Sequence, residues 1–340
     1  MFFKSPKVPY FYSFRILQPN HGEVECHLRT VDQAGDSGSS ASSSRWKTIF
    51  KAAEKGSVDD IRFFIEQGAN VNKKDDFGTP LHHAAKYNSD ASVVKYLIEQ
   101  GANINYKNKN GERPLHIAAA YNSNVAVIEC LIKSGADVNK KRHSKDCTYS
   151  GDTPLHIAAA FNSNLDVLKC LIKNKADVNI KADYGLTPLH YALSDSCAYL
   201  KVVKYLIEKG ADVNAEDDAF ETPLHHATQG DCNIGVIKCL LTNGAKVNAK
   251  TNWEETPLHF AAENSSNVNV LKLLIAHGAD VNAKAKIKWV PIDDSSMIYC
   301  MNMEGIINND VASMTPLDFA NTEGKKVILR AAGGKSGKEL

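Results

Sequence analysis

From Trp46 onward, short apolar clusters alternate with polar stretches in a pattern that no single helix or strand explains. In the segment that opens at Thr79, Leu81, Ala84 and Ala85 mark a narrow apolar stripe, small enough for tight helix contact. Val93, Val94, Leu97 and Ile98 follow at helical spacing and give a second stripe, the buried face of a second, antiparallel helix. Thr79 can cap the first helix, and Pro80 suits its first position, where no N–H is needed. Gly101 supplies the left-handed turn that ends the second helix. The "ANIN" that follows extends toward a hairpin tip. One such unit is too small to bury its own apolar faces, so it is stable only when stacked on others.

The chain repeats the phrase. "HIAAAYNSNVAVIECLIKSGADVN" (116–139) returns as "HIAAAFNSNLDVLKCLIKNKADVN" (156–179). T-P-L-H begins at Thr79, Thr153, Thr187, Thr222 and Thr256, with "RPLH" at Arg113 and "TPLD" at Thr315. The gaps are 34, 40, 34, 35, 34 and 59 residues. In this motif, the following "AA", the "V-V-x-x-L-I" run and "G-A-D-V-N", the sequence closely resembles the ankyrin repeat family over most of its length. The resemblance implies an all-α solenoid of antiparallel helix pairs with β-hairpin fingers, about eight units long with its caps.

The departures define the organisation. Residues 1–45 end in "GDSGSSASSS" (35–44), a small-polar run that cannot order itself, and form a disordered tail and linker. The unit at 46–76 lacks T-P-L-H and suits an N-terminal cap. Repeats follow near 77–109, 110–149, 150–183, 184–217, 218–251 and 252–285, then an insertion at 286–314, a C-terminal cap at 315–334 and a tail at 335–340. "NSDAS" and "NSNVA" make the interhelical loop one residue longer than the family's usual form. Lys175 stands where the other copies carry the helix-ending glycine, at a cost of about 1 kcal/mol if the left-handed conformation is kept. "KKRHSKDCTYSGD" (140–152) lengthens one finger by six residues, and 283–314 lengthens another by 25. Twenty-five residues are too few for a hidden repeat, so the second insertion reads as an elaborated finger.

Composition narrows the function. The formal net charge is +1, against the clear basic excess that a sequence-independent grip on nucleic acid needs. No stretch approaches the roughly 18 apolar residues of a membrane span, and the aromatic start is broken by Lys4, Pro6, Lys7 and Pro9, so no signal peptide is read. Cys130, Cys170 and Cys239 share a slot with Tyr96, Tyr205 and Leu273, which marks core packing. Stacked layers lie about 10 Å apart, beyond the roughly 7 Å Cα separation that a disulfide tolerates, so a reducing, cytoplasmic setting is expected.

Reactive chemistry is sought and set aside. His82, His116, His156, His190, His225 and His259 recur one per layer, so they cannot converge on one zinc ion; the resemblance implies that they tie neighbouring repeats. "HGEVECH" (21–27) lacks a second ligand pair, "GGKSGK" (333–338) lacks the earlier glycine of a phosphate loop, and "GDSG" sits in a Ser-rich tract. No catalytic residue, metal or cofactor is expected.

What remains is surface. The residues after "AA" vary: Lys86–Tyr87, Ala120–Tyr121, Ala160–Phe161, Gln229–Gly230 and Glu263–Asn264. Tyr87, Tyr121 and Phe161 give an aromatic ladder over three layers, which either anchors a partner or packs on the long interhelical loop. At the finger tips Phe77, Tyr184, Phe220 and Trp253 have no packing duty that the sequence reveals and are expected exposed. Lys73, Lys74, Lys107, Lys109, Lys140, Lys141 and Arg142 make the early tips basic, which suits an acidic partner segment if the charge is functional; Glu216, Asp217 and Asp218 are acidic. Every methionine except Met1 lies in 297–314, and local packing of the insertion, with Trp289 and Ile298, is favoured over a binding role. The reading is a monomeric, non-enzymatic module whose concave surface of fingers and first helices binds another protein. The alternatives are an adaptor or exported bacterial effector acting on a host protein, and an enzyme with a site in the tail or insertion.

Overall fold

The computed structural model describes residues 45–143, 151–193, 200–229, 233–292, 296–299 and 311–340. The expected tail, with its "HGEVECH", most of the first insertion, Met301 and Met303 lie outside the described residues, and so do the side chains of Trp289, Met297 and Ile298.

Helices follow one another in pairs: α1 (Ile49–Lys55) and α2 (Val58–Glu66), α3 (Pro80–Tyr87) and α4 (Ala91–Glu99), α5 (Pro114–Tyr121) and α6 (Val125–Lys133), α7 (Pro154–Phe161) and α8 (Leu165–Lys173). The pairs continue as α9 (Pro188–Tyr191) and α10 (Leu200–Glu208), α11 (Pro223–Thr228) and α12 (Ile234–Thr242), α13 (Pro257–Asn264) and α14 (Val268–Ala276), α15 (Pro316–Phe319) and α16 (Glu323–Ala331). First helices stack on first helices and second on second, and one continuous apolar core runs the length of the stack. Both expected stripes face it: Leu81, Ala84, Ala85, Val93, Val94 and Leu97 are fully buried. No helix among the described residues is long and apolar enough to cross a membrane. Cys130, Cys170 and Cys239 are free thiols packed in or against this core, and burial pushes the pKa of each up.

Capping fixes the ends. Thr79 is the N-cap of α3 and Pro80 its first residue. Gly101 takes φ +88, its N–H donates to the carbonyl of Ile98, and the N–H of Ala102 reaches Leu97 O, a paired closure that satisfies the last carbonyls of α4. Lys175 keeps the left-handed conformation of the glycine it replaces, at φ +68.

The motif histidines bind both within and between layers. In His82, Nδ1 accepts from the backbone N–H of Thr79 at 3.2 Å and from its hydroxyl at 2.9 Å. An accepting Nδ1 places the proton on Nε2, which donates to Glu112 O in the next finger at 3.2 Å. His116, His156, His190, His225 and His259 repeat the reach, to the carbonyls of Lys140, Leu186, Glu221, Glu255 and Met314. Burial lowers all six pKa values to about 3 or 4, so the rings are neutral at pH 7.

Two asparagine ladders run alongside. The amide of Asn122 donates to Ala85 O and Asn88 O at 3.0 Å each, and its Oδ1 accepts from Asn124 N. Asn124 in turn caps α6 through Ala126 N. The Asn-Ser-Asn loop is therefore a staple between layers. At the fingers, Asn179 bridges Gly210 O and Asp212 N, Asn214 bridges Gly244 O and Lys246 N, and Asn282 bridges Gly333 O and Lys335 N.

Most fingers are tight turns without assigned strands. The exception is the second insertion, an antiparallel sheet of β1 (Ala285–Ile292), β2 (Ser296–Tyr299) and β3 (Val311–Met314) in the order β2-β1-β3. Ala285 pairs with Met314 and Trp289 with Tyr299. The elaborated finger is a small sheet rising from the stack.

Candidate partner-binding surface

The variable residues after "AA" stand at the ends of the first helices. Tyr87, Tyr121 and Phe161 are 51%, 40% and 37% exposed, so the interhelical loops leave much of each ring open. Tyr87 closes α3, Tyr121 closes α5 and Phe161 closes α7, in three successive layers. The half-buried Lys86 extends across the first of them: its ammonium lies 4.9 Å from the Phe77 ring centre, 4.7 Å from Tyr87 and 4.6 Å from Tyr121.

The four tip aromatics divide. Tyr184 and Phe220 are exposed, 47% and 51%, on left-handed backbone at φ +60 and +61. For residues of that bulk this conformation is an outlier. Phe77 and Trp253 are half-buried, against the expectation of four exposed tips. The Phe77 ring packs edge-on to His83 at 5.0 Å between centroids, and Trp253 O accepts from Lys286 N at the start of β1. The duty of the Phe77 ring is visible only when the helix that follows it is in place.

The early basic tips are partly spent within the fold. Arg142 is mostly buried and ion-pairs with Glu112 at 3.1 Å, while its Nε donates to Asp152 Oδ2 at 2.7 Å. Its backbone pairs with Gly151 and Asp152, so Arg142 closes the neck of the first insertion. Lys109 pairs with Asp76, and Lys74 sits 4.5 Å from the Tyr106 ring centre. Three of the seven early basic residues, Lys74, Lys109 and Arg142, thus have internal partners.

The acidic half carries a cluster that sequence reading missed. His226 Nε2 lies 3.2 Å from Asp217 Oδ2 and 3.5 Å from Glu221 Oε2. Burial by itself lowers the His226 pKa, but the hydrogen bond to Asp217 and the charge of Glu221 outweigh it and raise the value. The three ligand atoms fall within 4.8 Å of one another and could hold a metal ion. Nearby, burial and then the charges of Glu221 and Glu263 push Glu255 up to about 7. Glu263 occupies the slot that Lys86 holds four T-P-L-H phrases earlier, its own pKa raised by burial. The first-helix face carries Lys86 and the aromatic rings in its early layers, with Glu54 in the layer before them, and half-buried carboxylates at the other end. The signal for His226 was the doubled histidine in "PLHH", which also occurs at His83, where the ring lies 2.9 Å from both Glu54 and Asp75.

The family model for ankyrin repeats (3 copies) matches residues 49–142, 141–217 and 215–285. The chain belongs to the ankyrin repeat family. Among solved structures it is similar to the crystal structure of the human ASB11 ankyrin repeat domain, with 25% identity and a TM-score of 0.59, over 69% of this chain and 99% of that one. No curated protein matches it. The matched stretch of the ankyrin array includes every residue of the aromatic ladder and all four tips. Family membership implies protein partners in general and leaves the partner and the surface to be argued from these side chains.

Proposed function

We propose that this ankyrin array is a non-enzymatic binding module that grips a partner protein on its concave surface of first helices and fingers. The observation that carries this reading is the run of exposed aromatic rings at equivalent positions, Tyr87, Tyr121 and Phe161. Rigid aromatic side chains lose little entropy on binding and dominate interface energetics. Stacking requires only that these positions leave the core free, and Ala160 and Gln229 show that neighbouring slots on this face accept small or polar residues. Tyr184 and Phe220 extend the surface along the fingers, and Lys86, Phe77 and Trp253 frame it. The adaptor and exported-effector readings share this surface and differ only in where the partner resides.

The test is capture of a partner by the full chain carrying Tyr121→Ala and Phe161→Ala. Helical circular dichroism should stay unchanged while affinity falls at least tenfold, the loss of one interface hot spot or more. Undiminished affinity in a folded double variant rejects the surface.

A further inference from the structure

The three rings around Lys86 come from different places: Phe77 from a finger, Tyr87 from the end of α3, Tyr121 from the end of α5. All three ring centres lie within 5 Å of one ammonium, at 4.9, 4.7 and 4.6 Å. Such an enclosure of π faces is a receptor for a cation, because each ring presents its negative face to the charge. Its present occupant belongs to the chain itself. Among the described residues no carboxylate ion-pairs with Lys86, and the three rings are the partners its ammonium meets. That occupant is held on a flexible four-carbon stem, and Tyr87 and Tyr121 remain half open to solvent.

We infer that Phe77, Tyr87 and Tyr121 form a cation-binding cage in which Lys86 stands in for an arginine or lysine side chain of the partner, which displaces it on docking. This deepens the concave-surface reading and rests on it. Two further observations favour a basic partner segment. The far end of the same face carries Glu221, Glu255 and Glu263, three carboxylates close enough to influence one another. They are half-buried, where an incoming cation is worth more than in open water. The slot of Lys86 holds carboxylates in other layers, Glu54 immediately before it and Glu263 at the far end, so acidic groups recur along this face. Displacement exchanges like for like: an arginine guanidinium stacks on the same rings at least as well as the ammonium it replaces.

The experiment uses the full chain, the Lys86→Ala variant and the double variant Lys86→Ala/Tyr121→Ala. Alanine occupies the same slot at Ala120 and Ala160, so the single variant keeps the fold. The probes are Nα-acetyl-arginine amide and its neutral isostere Nα-acetyl-citrulline amide, titrated while the tyrosine ring resonances are followed by NMR. The opened cage of Lys86→Ala should bind the arginine probe at least threefold more tightly than the wild type and at least fivefold more tightly than it binds citrulline. The double variant should lose that preference. Equal affinities for the two probes in Lys86→Ala, or a preference that survives removal of Tyr121, overturns the cage. Because these readouts need no partner, a failed cage leaves the capture experiment able to support the concave surface independently.

Discussion

The phenolic hydroxyl of Tyr191 donates to Asp152, a fully buried carboxylate 39 residues earlier, whose other oxygen is held by Arg142. Tyr191 follows the motif histidine of its repeat, the place held by Ile117 and Ile157 in other copies, so a core position has become one arm of a clasp on the enlarged finger. Removing the arms should have unequal effects. Tyr191→Phe deletes one hydrogen bond and leaves Asp152 its guanidinium, a loss of about 1–2 kcal/mol. Arg142→Ala removes the guanidinium from the buried Asp152 and the half-buried Glu112 together and should cost roughly 3–5 kcal/mol. Urea midpoints of the two variants decide it, and equal shifts would remove Arg142 from its central role.

Acid should loosen the stack. The six motif histidines stay neutral in the fold down to pH 4 or below, whereas unfolded histidine takes a proton near 6.5. Between those values the unfolded chain binds more protons, so stability falls as the pH falls from about 6.5 toward 4. Each ring contributes on the order of 1 kcal/mol to that loss at pH 5.5. Glu255, pushed up to about 7, and Glu221, Glu263 and His226, also raised, act in the opposite sense, four groups against six. Melting temperatures between pH 7.5 and 4.5 should drop steeply below 6.5; a flat profile contradicts the neutral, buried assignment.

The loop asparagines should prove costly to lose. Asn122→Ala leaves the carbonyls of Ala85 and Asn88 without their amide donor inside the stack, at roughly 2 kcal/mol or more. Ser123→Ala, on the exposed residue between the two asparagines, should change stability by under about 0.5 kcal/mol. Comparable losses from the two substitutions would show that the staple carries no weight.

Left-handed positions offer the reverse experiment. Lys175→Gly and Phe220→Gly each relieve a side chain held at positive φ, a strain of about 1–2 kcal/mol, against 0.5–1 kcal/mol of added backbone freedom in the unfolded chain. Both should raise the melting temperature slightly. Only Phe220→Gly should weaken partner capture, which separates a ring kept for binding from a lysine that merely tolerates its place. A Phe220→Gly protein that is more stable and binds equally well removes this tip from the surface.

Local rules made the scaffold legible. Thr79, Pro80, Leu81 and Gly101 each act within one turn of their own position, so their spacing alone announces the helices they begin, fill and end. The exposure of the aromatic ladder was readable for the same reason, since the second residue beyond the buried "AA" closes its helix at the surface. Arg142 was not readable, because its partners lie 10 and 30 residues away across a finger whose closure it causes. Phe77 was misjudged as an idle tip because its ring packs on the helix that follows. The His226 cluster escaped for a related reason: Asp217 and Glu221 look like solvated charges until the turn that carries them folds back over α11.

The rung between Asn282 and residues Gly333 and Lys335 closes across 51 and 53 residues, although the Asn214 rung spans 30 and 32. The ladder thus passes the sheeted finger by and lands on the last helix pair as though nothing had been inserted. Chain length at 285–314 is thereby uncoupled from the integrity of the array. This is a port at which new sequence can be acquired, exchanged or trimmed in descent while the neighbouring layers keep their register.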